Sequence, residues 1–184
     1  MQQILPGTAI EVSKFEKGTS RQMFDGIFAA GGVTLSQVSV MTGLEPYMVQ
    51  NWVKRGFVSS PKKRQYTKDQ FARIVIINML RESLQLDAII KLIGYINGVL
   101  NDESDDLISD SELYHMYADM IAENNINISD GESVYAAVES VADSYSEAVP
   151  GAKKRLFKVL QVMVYAHYSA ISRKNAEEIL ASLQ

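Results

Sequence analysis

Apolar residues recur at the spacing of an α-helix over most of this 184-residue chain. Four tetrapeptides of the form Ser/Thr-x-x-Glu/Gln, a pattern that caps helix N-termini, precede such periods and begin at Thr34, Thr67, Ser109 and Ser129. The sequence has no convincing run of alternating apolar and polar residues, which a half-buried strand would show. The pattern therefore predicts an all-α protein.

The two ends of the chain differ in their predicted structure. Residues 1 to about 20 show no sustained period, which predicts an irregular arm with at most a short strand, followed by a helix from Ser20 to Ala30. From Ala152 to Ile171 apolar residues lie nearly all round the helix. That distribution predicts burial on several faces, either at the centre of a C-terminal domain or in a dimer interface, with a separate short helix from about Ser172.

Charge is distributed unevenly along the chain, whose formal net charge is −4. Residues 51 to 81 carry eight Lys or Arg against one acid, a net +7, whereas residues 82 to 150 carry fifteen Asp or Glu against one Lys, a net −14. Contacts from Lys and Arg to phosphates release condensed counterions and so favour binding to nucleic acid. The distribution predicts that residues 51 to 81 face DNA and that the acidic region faces away from it.

The sequence also argues against several classes of function. The absence of cysteine excludes disulfides, thiolate metal sites and cysteine nucleophiles. The two histidines, His115 and His167, lack metal-ligand spacing, and the chain has no Gly-rich phosphate loop or nucleophile elbow. The acidic run at residues 101 to 106 lacks the glycine of a calcium loop and is interpreted as a solvated linker. We expect no enzyme activity, no metal and no cofactor.

The N-terminus has no basic region followed by an apolar stretch of signal-peptide length, because Pro6 and Gly7 interrupt it. The longest apolar stretch, Leu156 to Ala170, contains Lys158 and is shorter than the roughly 20 residues that cross a bilayer. These features predict a cytoplasmic protein without a membrane partner.

Residues 34 to 56 have the pattern of a helix-turn-helix: a capped helix, a turn at Gly43-Leu44, and a second helix with Pro46 at its first position. Trp52 shares an apolar face with Val49 and is predicted to lie in the core rather than stack on bases. The remaining face is predicted to contact DNA through Tyr47, Met48, Gln50, Asn51, Lys54 and Arg55. Gln and Asn can bond the adenine edge, and Lys and Arg can bind guanine or phosphate.

The segment after the second helix has the composition of a small β wing. An apolar pair, Phe57-Val58, precedes a basic tip, and Tyr66 follows that tip before the next capped helix. We predict that the tip lies along the phosphate backbone. The predicted contact residues here are Lys62, Lys63, Arg64 and Tyr66.

Leu35-x2-Val38-x3-Thr42-Gly43-Leu44, Trp52-x3-Gly56-Phe57 and Arg64-x-Tyr66-Thr67 together resemble the winged helix-turn-helix of the MerR family, over residues 33 to 97. The string Gln50-Asn51-Trp52-Val53-Lys54-Arg55-Gly56, with Tyr95-Ile96-Asn97-Gly98, is similar to an uncharacterised bacterial family of MerR-like regulators. MerR proteins usually carry Arg-Tyr where this chain has Gln50-Asn51, and their wing is longer.

The resemblance implies three parts: an N-terminal arm and helix at residues 1–32, a MerR-like winged helix-turn-helix at 33–100, and a helical dimerisation or sensing domain at 101–184. It implies a homodimeric transcriptional regulator that binds double-stranded DNA, with the second helix in the major groove and the wing on the backbone. Whether an effector binds the helical half stays open. The alternative is a protein-interaction module whose winged helix has lost DNA binding and whose acidic half docks a partner.

Overall fold

A computed structural model describes residues 3–98, 107–147 and 149–183 of the chain. Over these residues the protein is mostly helical, with few and short strands, so the predicted helical class is confirmed. The helices are α1 (Thr19–Phe28), α2 (Leu35–Thr42), α3 (Pro46–Lys54), α4 (Lys68–Leu80), α5 (Leu86–Asn97), α6 (Asp110–Glu123), α7 (Gly131–Ala142) and α8 (Ala152–Ala181). The strands are β1 (Gln3–Ile4), β2 (Glu11–Val12), β3 (Val33–Thr34) and β4 (Gln65–Tyr66). The predicted linker at 101 to 106 and the domain boundary at residue 100 lie outside the described residues.

Helix α4 lies at the centre of the molecule. Nine of its thirteen residues are buried, and they point in all directions around the helix axis. The helix packs against α2, α5, α6 and α8, and one cluster of buried side chains runs from Phe24 of α1 to Ala166 of α8. The helices before and after residue 100 therefore share one hydrophobic core.

The N-terminal arm is an ordered hairpin rather than the irregular segment that the sequence predicted. Strands β1 and β2 pair antiparallel, and Leu5 beyond β1 is fully buried. Asn78 of α4 donates hydrogen bonds from Nδ2 to the carbonyl oxygens of Gly7 and Thr42, both at 3.0 Å. Gly7 has a φ of 72°, and a Cβ there would lie 2.6 Å from the Val75 carbonyl oxygen, so the close approach requires glycine.

The predicted capping boxes have three different outcomes. Those at Thr34 and Thr67 are complete, with both the side-chain and the reciprocal hydrogen bonds present. Ser109 accepts from the Glu112 amide, but the Glu112 carboxylate pairs with Arg21 of α1 instead of returning to the cap. The box predicted at Ser129 is wrong, because Asp130 caps α7 by accepting from the amide of Glu132.

Helix α8 is continuous over 30 residues, so the separate helix predicted from Ser172 is wrong. One broad face of its first half packs against α4, α5 and α7. This buried face places residues 156 to 164 at the centre of the helical half, but the predicted burial on several faces is wrong, because Lys158, Val162 and Tyr165 on the opposite side are exposed. From Ile171 to Leu183 every residue is exposed. Within the described ranges, no helix is long and apolar enough to cross a membrane.

A buried polar network joins three helices. Arg73 of α4 donates from Nε to Oδ2 of Asp110 in α6 at 2.6 Å, and Asn97 of α5 donates to the other carboxylate oxygen at 3.0 Å. The side chains of both charged residues are only 10% exposed. Arg73 belongs to the basic segment that the sequence assigned to DNA, but its charge is neutralised inside the protein.

We expect Arg73→Ala to lower the free energy of unfolding by about 3 to 5 kcal/mol, because it leaves the Asp110 carboxylate buried without a counterion. Urea unfolding followed by circular dichroism measures the change. Lys68→Ala is the control, since Lys68 pairs with Asp25 at the surface and its loss should cost less than about 1 kcal/mol. Equal effects of the two substitutions would contradict the structural role of the buried pair.

His115 is buried in the helical core, and His167 is half-buried at its edge. His115 Nδ1 is 2.9 Å from the Ser20 hydroxyl, and His167 Nδ1 is 2.7 Å from the Tyr117 hydroxyl. Burial lowers the pKa of each imidazole from 6.5 to about 4. Both rings are therefore neutral in the folded protein at pH 7.

This burial predicts that the protein loses stability as the pH falls from 6.5 towards 4. In that window the unfolded chain binds protons that the folded chain does not, at a cost of about 1.4 kcal/mol per pH unit for each histidine. Urea unfolding at several pH values measures the slope. His167→Asn should reduce that slope, because asparagine offers a hydrogen-bonding atom near the Nδ1 position without a titrating ring. An unchanged slope would show that folding does not lower the pKa of the His167 imidazole.

Candidate nucleic-acid interface

Helices α2 and α3 are joined by a tight turn that local sequence determines. Gly43 ends α2 in the left-handed conformation, with a φ of 71°, and Pro46 occupies the first turn of α3. Val49 is fully buried and Trp52 is 3% exposed, so the inner face of α3 packs into the core. The prediction that Trp52 is a core residue is confirmed.

The outer face of α3 carries a stripe of exposed polar residues, which we call the α3 stripe. It consists of Tyr47, Gln50, Asn51 and Lys54, at the spacing i, i+3, i+4 and i+7 that places side chains on one side of a helix. Tyr47 is 68% exposed, whereas tyrosine is on average intermediate in burial. The stripe offers an amide pair, a phenol and an ammonium group to a binding partner.

Two other predicted contact residues, Met48 in α3 and Arg55 directly after it, lie away from this stripe. Met48 is half-buried and lines an open cleft with Trp52 and the turn between α4 and α5. The Arg55 guanidinium lies 4.3 Å from the centre of the Phe57 ring and 3.4 Å from the Asp87 carboxylate of α5. Arg55 is thus held against the protein by a cation–π contact and an ion pair.

Residues 62 to 65 form a tight basic turn that runs into β4, and we call this turn the basic tip. The Gln65 amide donates to the Lys62 carbonyl oxygen at 2.9 Å, closing a two-residue hairpin turn. Lys63 and Arg64, its two central residues, have φ values of 50° and 63°. Positive φ at both positions is typical of a type I′ turn, which favours Asn-Gly. The chain instead places two long cations in a backbone conformation that costs energy.

Tyr66 is not on this surface, so its prediction as a DNA contact is corrected. It pairs with Val33 across the β3–β4 ladder and is 3% exposed. Successive strand residues point to opposite sides, so an exposed Gln65 directs Tyr66 into the core. Burial raises the pKa of the Tyr66 phenol. An alternation of two residues is too short to be recognised in the sequence.

The basic tip projects from a base that is fixed to α4. The Gln70 side chain donates from Nε2 to the carbonyl oxygens of Ser59 and Ser60, at 3.0 and 3.1 Å, while its Oε1 accepts from the Thr67 amide. Gly32 lies against β4, where a Cβ would meet Gln65 Cβ at 2.8 Å. Sequence reasoning identified Gln70 only as part of a cap and missed its contact with the segment after α3.

The structure divides the basic segment into two groups. Four cations pair with carboxylates: Arg55 with Asp87, Lys68 with Asp25, Arg73 with Asp110 and Arg81 with Glu82. In the described part of the chain, no such ion pair involves the other four, which are Lys54, Lys62, Lys63 and Arg64. All four are exposed. The charge that remains available to a polyanion is therefore at the end of α3 and in the basic tip.

The double substitution Lys63→Asn with Arg64→Gly should raise the free energy of unfolding by about 1 kcal/mol, because Asn-Gly adopts the positive φ angles of this turn with less strain. Urea unfolding measures the gain. Lys62→Asn removes a neighbouring charge without relieving either positive φ and should give no comparable gain. A double variant less stable than the native chain would contradict the claim that the backbone at residues 63 and 64 is strained.

Comparisons with known proteins assign no activity to this surface. Residues 31–117 match a protein family described as a domain of unknown function (DUF1836). A search of curated proteins returned no match, and a search of solved structures returned none. The matched region covers α2 to α5 and part of α6, and it continues past residue 100. The match covers just under half of the chain. The α3 stripe and the basic tip both lie within the matched residues.

Proposed function

We propose that this protein is a cytoplasmic DNA-binding transcriptional regulator whose residues 33 to 97 act as a winged helix-turn-helix of the MerR kind. The observation that carries the proposal is the position of the four exposed cations that lack an ion-pair partner in the described residues. They lie at the end of α3 and in the basic tip, within the segment that resembles the MerR pattern. The other four cations of the basic segment pair with carboxylates.

In this proposal α3 is the recognition helix. Its nine residues span roughly 14 Å, and the major groove of B-DNA, about 12 Å wide, admits a helix of ordinary diameter. Gln50 and Asn51 on the α3 stripe have the bidentate amide groups that suit an adenine edge. Lys54, one turn further on, would bind a phosphate or a guanine.

The basic tip would act as the wing. Lys62, Lys63 and Arg64 offer three positive charges within three residues, and exposed cations of this kind neutralise phosphates without reading sequence. Strained backbone often persists where a site requires a particular arrangement of side chains. The positive φ values at Lys63 and Arg64 fit such a requirement, since a more favourable Asn-Gly turn would remove both charges.

The first test is binding to a random duplex DNA over a range of salt concentrations. Charge reversal of Lys62, Lys63 and Arg64 to Glu should weaken binding and reduce the slope of log K against log salt by about 3, since each phosphate contact contributes about 0.9. The matched control reverses Lys154, Arg155 and Lys158, three exposed cations of α8, and changes the net charge by the same amount. Fluorescence anisotropy measures both variants.

The control variant should bind DNA with nearly the native salt slope. Equal weakening of both variants would show that net charge rather than the basic tip determines binding. No binding of the native protein even at low salt would contradict the proposal. That result would favour the alternative of a protein-interaction module whose acidic helical half docks a partner.

A second test separates base contacts from phosphate contacts. Gln50→Ala and Asn51→Ala should relax sequence preference, with about 1 to 3 kcal/mol less discrimination against the wrong base. Lys63→Ala should weaken binding to all sequences by a similar factor. Selection of binding sites from a random duplex pool measures the preference of each variant. A uniform loss from the two amide variants would contradict their assignment as base contacts.

A further inference from the structure

Helices α5 and α8 pack side by side and run in opposite directions. The Arg155 guanidinium, near the start of α8, lies 5.8 Å from the centre of the Tyr95 ring, near the end of α5. Ser83, just before α5, donates to the Ala166 carbonyl oxygen of α8 at 2.6 Å. Because Tyr95 and Arg155 are both exposed and meet, the exposed sides of the two helices form one continuous surface.

This surface combines cations with large apolar side chains, and we call it the α5–α8 face. On α8, positions 155, 158, 162 and 165 follow the spacing i, i+3, i+7 and i+10, which places them on one side of the helix. On α5, positions 91 and 95 lie one turn apart. The members of the face are Lys91, Tyr95, Arg155, Lys158, Val162 and Tyr165, all of them exposed.

The cations of the α5–α8 face are not matched by carboxylates in the described chain. Among residues 3–98, 107–147 and 149–183, no ion pair involves Lys91, Arg155 or Lys158, nor the neighbouring Lys154. Residues 82 to 150 are rich in acids, yet the described acids of that region are directed elsewhere. The face thus offers four positive charges to a partner.

The apolar members of the face are also only partly covered. Tyr95 is 46% exposed, Tyr165 is 44% exposed and Val162 is 38% exposed. Interfaces between proteins are enriched in tyrosine and arginine and bury a few large side chains at their centre. Cations and apolar side chains alternate along this face, so a matching partner must be both acidic and apolar.

We propose that the α5–α8 face docks an acidic amphipathic helix of a different protein. The furrow between two adjacent helices can accept a third helix lengthwise, with its apolar side chains as anchors. From Arg155 to Tyr165 the face extends roughly 15 Å along α8, so a partner helix of about 10 to 15 residues covers it. Leucine-like side chains of the partner would pack on Val162 and the two tyrosines, and its carboxylates would pair with the cations.

Charge and composition argue against two other occupants. A second copy of the chain that paired through the same face would set its cations against identical cations, which repel. Interfaces with duplex DNA are more polar than those between proteins, and phosphates offer no apolar partner to Val162 or to the tyrosine rings. An acidic amphipathic helix satisfies both the cations and the apolar side chains of the face.

Docking at this face goes beyond the proposed DNA binding and is tested with a designed peptide. The probe is a fluorescein-labelled helical peptide of about 15 residues, with leucines on one side of the helix and glutamates beside them. A peptide of the same composition in scrambled order is its control. The native full-length protein should bind the probe with a Kd of about 10 to 100 µM and the scrambled peptide about tenfold more weakly, as measured by fluorescence anisotropy.

Charge variants separate this face from the candidate nucleic-acid interface. Reversal of Lys154, Arg155 and Lys158 to Glu should weaken probe binding by about tenfold or more, while duplex DNA binding stays near the native level. Reversal of the basic tip changes the net charge equally and should leave the Kd for the probe within about twofold of native. Failure of either proposal is thus distinguishable from failure of the other.

Apolar variants test the anchors of the face. Tyr95→Ala and, as a second site, Val162→Asp should each weaken probe binding by about fivefold or more. Tyr47→Ala removes an exposed tyrosine of α3 that lies outside the face and should not change it. All three residues are exposed, so the circular dichroism spectrum of each variant should match that of the native chain.

Several results would overturn the docking proposal. They are no binding of the probe at about 1 mM, equal binding of the scrambled peptide, or equal losses in the two charge-reversed variants. Tighter binding of a single-stranded oligothymidine than of the probe, abolished by Tyr95→Ala, would assign the face to nucleic acid instead. Self-association of the native chain that Tyr95→Ala abolishes would assign it to a second copy.

Discussion

The burial of α4 on all its faces is the constraint on which the rest of the structure depends. A helix without a solvent-facing side needs partners in every direction, and here α2, α5, α6 and α8 provide them. Burial also requires compensation for the polar groups of α4. Asp110 neutralises Arg73, and the backbone of the arm and of α2 accepts the hydrogen bonds of Asn78. Through these contacts α4 fixes the N-terminal arm, α2 and the helical half in one arrangement.

The candidate interface is built outward from this centre. Gln70 at the start of α4 hydrogen-bonds to the segment after α3. Strand β4 connects the basic tip to the start of α4. Trp52 and Val49 hold α3 from its inner side, so the α3 stripe is presented by a packed helix rather than a mobile loop. Among the non-glycine residues that the structure describes, positive φ angles occur only at Lys63 and Arg64, and these two residues carry charges that the proposed function uses.

Sequence patterns correctly predicted features that neighbouring residues determine. They did not predict features that depend on contacts between residues far apart in the sequence. The caps at Thr34 and Thr67 and the buried face at Trp52 follow from neighbours in sequence, and they were predicted correctly. The pairing of Arg73 with Asp110 joins residues 37 positions apart, and the burial of Tyr66 depends on a two-residue strand. Charge counting therefore located the basic segment but could not separate the cations that pair with carboxylates from those with no such pair in the described residues.

Hydrogen–deuterium exchange with and without a random duplex DNA tests the central claim most directly, because it locates the bound surface without altering the protein. We predict slower amide exchange in α3 and in residues 57 to 66 when DNA is present, with little change in α6 and α7, whose region carries the excess of acidic residues. Protection confined to the helical half, or none at a salt concentration where polyanions bind exposed cations, would contradict the assignment of the α3 stripe and the basic tip to DNA.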